Sequence, residues 1–139
     1  MKKRTAISAI MTKEVITLNY NDDLTTAEKL FKANHIRHIP VVSGERVVGI
    51  LSYTDLLRIS FADAVDEDEH TVDSVVYNMF TIEQVMTKNL VQVNSTTLIK
   101  EVAEILSKNE FHALPIIDDS KLVGIVTTTD LINYLIEQF

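Results

Sequence analysis

The sequence predicts a mixed α/β (α+β) fold: two β-α-β-β-α units packed with pseudo-two-fold symmetry as one module. Three observations lead there. A chain of 139 residues has the length of one compact domain, with little room for a catalytic domain beside a regulatory one. It is 46% hydrophobic and 24% charged, with mean hydropathy +0.11, which is enough apolar material for a sizeable core. Finally, sliding the chain by 75 residues lays Ile10–Leu57 on Val85–Ile132 without a gap. Identities fall at Met11/Met86, Thr12/Thr87, Lys13/Lys88, Pro40/Pro115, Gly49/Gly124, Thr54/Thr129 and Asp55/Asp130, among others, and apolar class is kept between them.

Each copy reads as the same series of elements. Val15–Leu18 and Leu90–Val93 are short apolar strands, followed by residues that can cap a helix: Asn21, Asp22 and Asp23, or Ser95, Thr96 and Thr97. Leu24, Ala27, Leu30 and Phe31, like Ile99, Val102, Ala103 and Leu106, then recur at helical spacing, so one face of each helix is expected inside. Ile39-Pro40-Val41-Val42 and Leu114-Pro115-Ile116-Ile117 are strands whose proline belongs at a start or edge, because it has no ladder donor. Ser43-Gly44-Glu45 and Asp118-Asp119-Ser120 turn each strand back into Val47–Leu51 or Leu122–Val126, and a last helix opens at Tyr53 or Thr128.

The expected organisation is therefore repeat one at 1–60, an acidic linker at 61–81 and repeat two at 82–139. Ser60–Thr81 holds Asp63, Asp66, Glu67, Asp68, Glu69 and Asp73 with no Lys or Arg. Such a run reads as a solvated linker, since it lacks the glycine and spaced ligands of a calcium loop. Val72, Val75, Val76, Tyr77 and Phe80 suggest that its later part folds onto the core.

Charge and composition narrow the function classes. The formal net charge is −7 and the sequence pI about 5.0, so nucleic acid and anionic membrane surfaces are not expected as partners. Most of that acidity sits in the linker, so the copies themselves are close to neutral and a small anion can still bind. Without cysteine there is no disulfide framework, thiolate nucleophile or Cys-ligated metal. Met1–Met11 imitates the charged front of a signal peptide, but its apolar stretch is short and runs into Thr12-Lys13-Glu14; no run approaches a membrane span. A cytoplasmic location is expected.

The phrase Gly-x-x-[Ser/Thr]-x-x-Asp closes both copies, as Gly49 to Asp55 and Gly124 to Asp130. Two physical readings fit it. Ser52 and Thr127 can be helix N-caps, with Asp55 and Asp130 completing capping boxes. Alternatively the helix starts are anion sites, with free backbone N–H groups and hydroxyls for phosphate oxygens, glycine upstream allowing close approach, and a carboxylate suited to ribose hydroxyls.

This phrase, the Met-Thr-Lys openings at Met11–Lys13 and Met86–Lys88, and the strands Arg37-His38-Ile39-Pro40 and His112-Ala113-Leu114-Pro115 resemble the cystathionine-β-synthase (CBS) domain family over nearly the whole chain. The resemblance implies an adenosine-containing ligand, such as AMP, ADP, ATP or S-adenosylmethionine, in clefts between the copies. It implies Asp55 and Asp130 as ribose acceptors, with Ser52, Thr54, Thr127 and Thr129 as hydroxyl contacts near the phosphate. In the family pattern each cleft is crossed. Ile16, Ile36, Arg37 and His38 would join His112 and Ile125 around Asp130, and Val91, Phe111, His112 and Ala113 would line the Asp55 cleft. Arg37 and two histidines make the Asp130 cleft the preferred phosphate site, since charge-assisted contacts are the stronger ones. The family also commonly forms a flat dimer through the closing helices.

Other constellations carry less. His35-x-x-His38 has no evident third ligand, so no metal is expected. No nucleophile elbow, Walker loop or dinucleotide fingerprint appears, so neither an enzyme nor a catalytic cofactor is expected. Met11, Met79 and Met86 read as core fillers. Leu131, Ile132, Tyr134, Leu135, Ile136 and Phe139 spread apolar surface around much of the last helix, wider than one core contact needs, and Leu56–Phe61 is similar. That pattern favours a homodimer through these helices over burial within one chain. The expected function is a sensor that binds an adenosine derivative and modulates an unidentified effector protein. The rival is a ligand-free scaffold in which the motifs are only caps.

Overall fold

The structure is a computed structural model that describes residues 4–62 and 77–139. Its contacts divide the chain into two compact units, one formed by the residues up to Val15 with Leu90–Phe139 and the other by Ile16–Asn89.

The Ile16–Asn89 unit contains β1 (Leu18–Asn19), α1 (Leu24–Asn34), β2 (His38–Ser43), β3 (Arg46–Ser52), α2 (Tyr53–Ala62) and α3 (Ile82–Val85). The sheet order is β1-β2-β3, with β1 parallel and β3 antiparallel to β2. Helix α1 starts where the sequence suggested: the Asp23 carboxylate accepts from the Thr26 backbone N–H and hydroxyl, each at 2.8 Å. Its buried face, Leu24, Ala27 and Phe31, follows the helical period. These residues join Leu18, Ile39, Val41, Leu51 and Leu56 in one core.

The other unit contains a 3₁₀ turn (Ile7–Ala9), α4 (Ile99–Lys108), β4 (Ala113–Asp118), β5 (Lys121–Thr127) and α5 (Thr128–Glu137). The β4–β5 hairpin turns on Asp119 and Ser120 at φ 49° and 67°, the pair of positive values that the twist of a two-residue hairpin favours. Ile7, Val93, Ile99, Val102, Leu114, Ile116 and Val126 form its core.

Four expectations change. The strands read at Val15–Leu18 and Leu90–Val93 shrink to Leu18–Asn19 and a single parallel bridge from Val93 to Ile116. The prolines explain this. Pro40 faces Ile50, whose N–H and C=O both turn outward to Thr87, so the Pro40 nitrogen points away from β3, toward β1. Without a donor there, the β1 ladder begins one residue later, at Leu18 beside Val41. Pro115 stands the same way opposite Ile125, whose two backbone groups bond Thr12. Both prolines thus lie inside strands, at positions where the hairpin ladder itself needs no donor.

The second change concerns the start of α4, which none of Ser95, Thr96 or Thr97 caps. Its N-cap is Leu98, and the Ile99 N–H donates instead to the Thr5 carbonyl at 2.9 Å. Ser95 has another partner, the Asp118 carboxylate, to which its N–H and hydroxyl donate at 2.9 and 2.6 Å.

Third, the glycines before the closing helices make room for protein. A Cβ on Gly124 would lie 2.7 Å from Met11 Sδ and 2.9 Å from the Thr12 carbonyl; on Gly49 it would meet Met86 and Thr87 in the same way. Met86 is buried and Met11 packs against its unit's core, as fillers do. Fourth, Met79 is 67% exposed: it lies two residues beyond buried Tyr77 in a helical turn, which points it to the opposite side.

Tyr77 packs into the core of the Ile16–Asn89 unit and accepts from the buried Ser60 hydroxyl at 3.1 Å, and Phe80 packs beside it, as their apolar character suggested. The linker carboxylates, Val72, Val75 and Val76 lie outside the described residues.

Candidate functional site

In each unit a strand of the hairpin runs straight into the closing helix, so the helix start is held by the sheet. Thr127, extended at φ −119°, ends β5 and accepts the Asp130 N–H at 3.2 Å; the Asp130 carboxylate accepts the Thr127 N–H at 2.9 Å. This is a complete capping box. In the other copy the Ser52 hydroxyl accepts the Asp55 N–H at 3.0 Å, but the Asp55 carboxylate lies 3.3 Å from Arg58 Nη1. The two aspartates are therefore engaged differently, one by a backbone donor and the other by an exposed guanidinium.

A second tie recurs. The Tyr53 N–H donates to the Arg37 carbonyl at 2.8 Å, and the Thr128 N–H to the His112 carbonyl at 2.9 Å. His38 pairs with Ser52 across β2 and β3, and Ala113 with Thr127 across β4 and β5. One unit thus brings Arg37 and His38 beside Ser52, Thr54 and Asp55, and the other brings His112, Ala113 and Ile125 beside Thr127, Thr129 and Asp130. Thr54, Thr129, Arg37 and His112 are exposed, whereas Ala113 and Ile125 are buried. Ile16 is half-buried and Val91 exposed; Ile36 and Phe111 each pack against the core of their own unit.

Arg58 was not among the sequence-derived site residues, although an Asp three residues before an Arg on a helix signals this ion pair. His35 is exposed at the left-handed end of α1. Among the described residues, no group of three or more His, Asp or Glu is placed to hold a metal ion, and no helix is long and apolar enough to cross a membrane.

The doubled helix start, each copy following its own equivalent hairpin, agrees with comparison to known families: the CBS domain model matches residues 7–62 and 82–137. The chain belongs to the CBS domain family. Its repeats are similar to the CBS domain pair of protein MJ0100, solved in complex with 5′-methylthioadenosine and S-adenosyl-L-methionine. That match has 26% identity and TM-score 0.80, and covers 97% of this chain and 98% of that one. The CBS domain of a CBS domain-containing membrane protein from Sphaerobacter thermophilus matches with 26% identity and TM-score 0.80, over 94% of this chain and 88% of that one. By sequence, protein MJ1225 of Methanocaldococcus jannaschii is 28% identical over 130 residues, 93% of this chain. The chain spans less than half of the first curated relatives it matches, 42% of MJ1225 and 38% of MJ1232.

Proposed function

We propose that this CBS pair is a regulatory sensor module that binds an adenosine-containing ligand and modulates an effector protein. The observation that carries the reading is the MJ0100 pair, which matches this chain nearly end to end and holds two adenosine derivatives. The helix starts support it chemically. Thr127, Thr129 and Asp130 combine hydroxyls, a helix N-terminus and a carboxylate, a set that suits a phosphate at one end of an adenosine nucleotide and ribose hydroxyls at the other. Ile125 and His112 belong to the same unit, and Ile16, Ile36, Arg37 and His38 are the further contributors that the family pattern assigns. Ser52, Thr54 and Asp55, with Val91, Phe111, His112 and Ala113, form the second set. AMP, ADP, ATP and S-adenosylmethionine are the candidate ligands, and no catalytic role is assigned to any residue. A ligand that favours one arrangement of the pair shifts its population and so alters the surface shown to the effector. The proposed assembly is a homodimer through the closing helices, acting in the cytoplasm.

The complete capping box at Asp130 favours a second reading, a scaffold whose motifs only cap helices. A thermal-shift panel of AMP, ADP, ATP and S-adenosylmethionine separates the two, because a ligand that binds the folded state raises the midpoint by mass action. A rise with any of them supports the sensor; none at millimolar concentration overturns it in favour of the scaffold.

A further inference from the structure

The compact units and the CBS repeats do not share boundaries. Residues 5–12 open the first repeat, yet they complete the unit built on Leu90–Phe139. The Thr5 carbonyl accepts from the start of α4, and the Ile7 N–H donates to the Thr97 carbonyl at 2.7 Å. Ile7 is fully buried in that unit's core, Met11 fills the space at Gly124, and Thr12 exchanges two backbone hydrogen bonds with Ile125 at 2.9 and 3.0 Å.

Residues 82–87 do the same in the Ile16–Asn89 unit. Ile82 is fully buried in the core, and Tyr20 donates a hydrogen bond to Glu83. Met86 fills the space at Gly49, and Thr87 exchanges two bonds with Ile50 at 2.9 and 3.0 Å.

We infer that the two repeats are interlocked: each lends its opening segment to complete the other, and this exchange holds them together even when the chain between them is cut. A break between Ala62 and Tyr77 leaves one piece holding residues 5–12 and the other holding 82–87. To part, the pieces must withdraw two buried isoleucines, two seated methionines and both reciprocal backbone pairs at once. Loosening one segment alone leaves the other in place.

The test inserts a site-specific protease sequence between Asp66 and Glu67 of the full chain. The protein is cut to completion, verified on a denaturing gel, and compared with uncut protein by native size exclusion over a dilution series. The expected result is co-elution of both pieces at the uncut volume; separation at micromolar concentration overturns the inference. A second arm places Met11→Ala and Met86→Ala, truncations milder than a charge insertion, in the same chain. The dissociation constant of the cut pieces is expected to rise at least about tenfold, since each truncation empties a packed site. An unchanged constant overturns the role given to these segments.

Discussion

Met86 Sδ lies 2.5 Å from the point that a Cβ on Gly49 would occupy, and the Thr87 carbonyl lies 2.9 Å from it. Gly49→Ala must therefore push on a backbone oxygen as well as on a flexible side chain. The expected cost is about 1–3 kcal/mol, the range for overpacking, with Gly124→Ala similar. Urea unfolding of both variants checks this, and a cost near zero would mean that the neighbouring segment yields freely.

For the ligand, Asp130→Ala is expected to lower nucleotide affinity more than Asp55→Ala does. Asp55 is already engaged by Arg58, whereas the family pattern places Arg37 and two histidines with Asp130. Calorimetric titration of the two variants decides the ranking, and equal losses would contradict it.

Thr127→Ala is expected to cost about 1 kcal/mol of stability through loss of the cap, whether or not a ligand binds. Chemical denaturation in the absence of nucleotide measures that part. A further drop in nucleotide affinity would then be the sensor's signature, and stability loss alone the scaffold's.

Acidification is expected to loosen the Ser95–Asp118 contact. The Ser95 hydroxyl, and then its N–H, hold the Asp118 carboxyl below the usual carboxylate range. Asp23 is held low in the same way by the Thr26 N–H and hydroxyl. A carboxyl with a depressed folded pKa stabilises fully above its ordinary value and loses that contribution as pH falls through the folded one. The urea midpoint should therefore fall on acidification, and less steeply in Ser95→Ala. Identical pH profiles for the two proteins would remove Asp118 from the account.

On α5, Ile132 and Ile136 are 52% and 63% exposed, and Phe139, just past its end, is 99% exposed, while Leu131 and Tyr134 pack inward. Such a run of exposed apolar side chains suits a subunit contact. The chain is expected to sediment as a dimer and Ile136→Glu as a folded monomer. A monomeric parent, with and without nucleotide, would refute the assembly.

Much of this fold is legible in the residues. The α1 face appears in the spacing of Leu24, Ala27 and Phe31, and the hairpins in their turn residues. The partner of each Met-Thr opening is not legible. Met11-Thr12 and Met86-Thr87 are identical dipeptides, each repeat carries the same Gly-Ile acceptor, and only the tertiary path decides which pairs meet. At the site, the capping chemistry of Thr127 and Asp130 follows from their spacing. The different fate of Asp55 was also written in the chain, because Arg58 stands where the second copy has Asn133. Capping of α4 by a distant carbonyl left no local trace, since a backbone oxygen belongs to every residue type.

The prolines and the borrowed threonines have one more effect. Thr87 occupies the outer side of β3 and Thr12 that of β5, while Pro40 and Pro115 remove a donor from the opposite flank of each hairpin. Each flank is interrupted, at Ile50 or Ile125 on one side and at the proline on the other, which shortens the row of open amides on which a strand from a neighbouring molecule could nucleate. The same arrangement that joins the repeats thus guards a Val- and Ile-rich sequence against edge-to-edge aggregation.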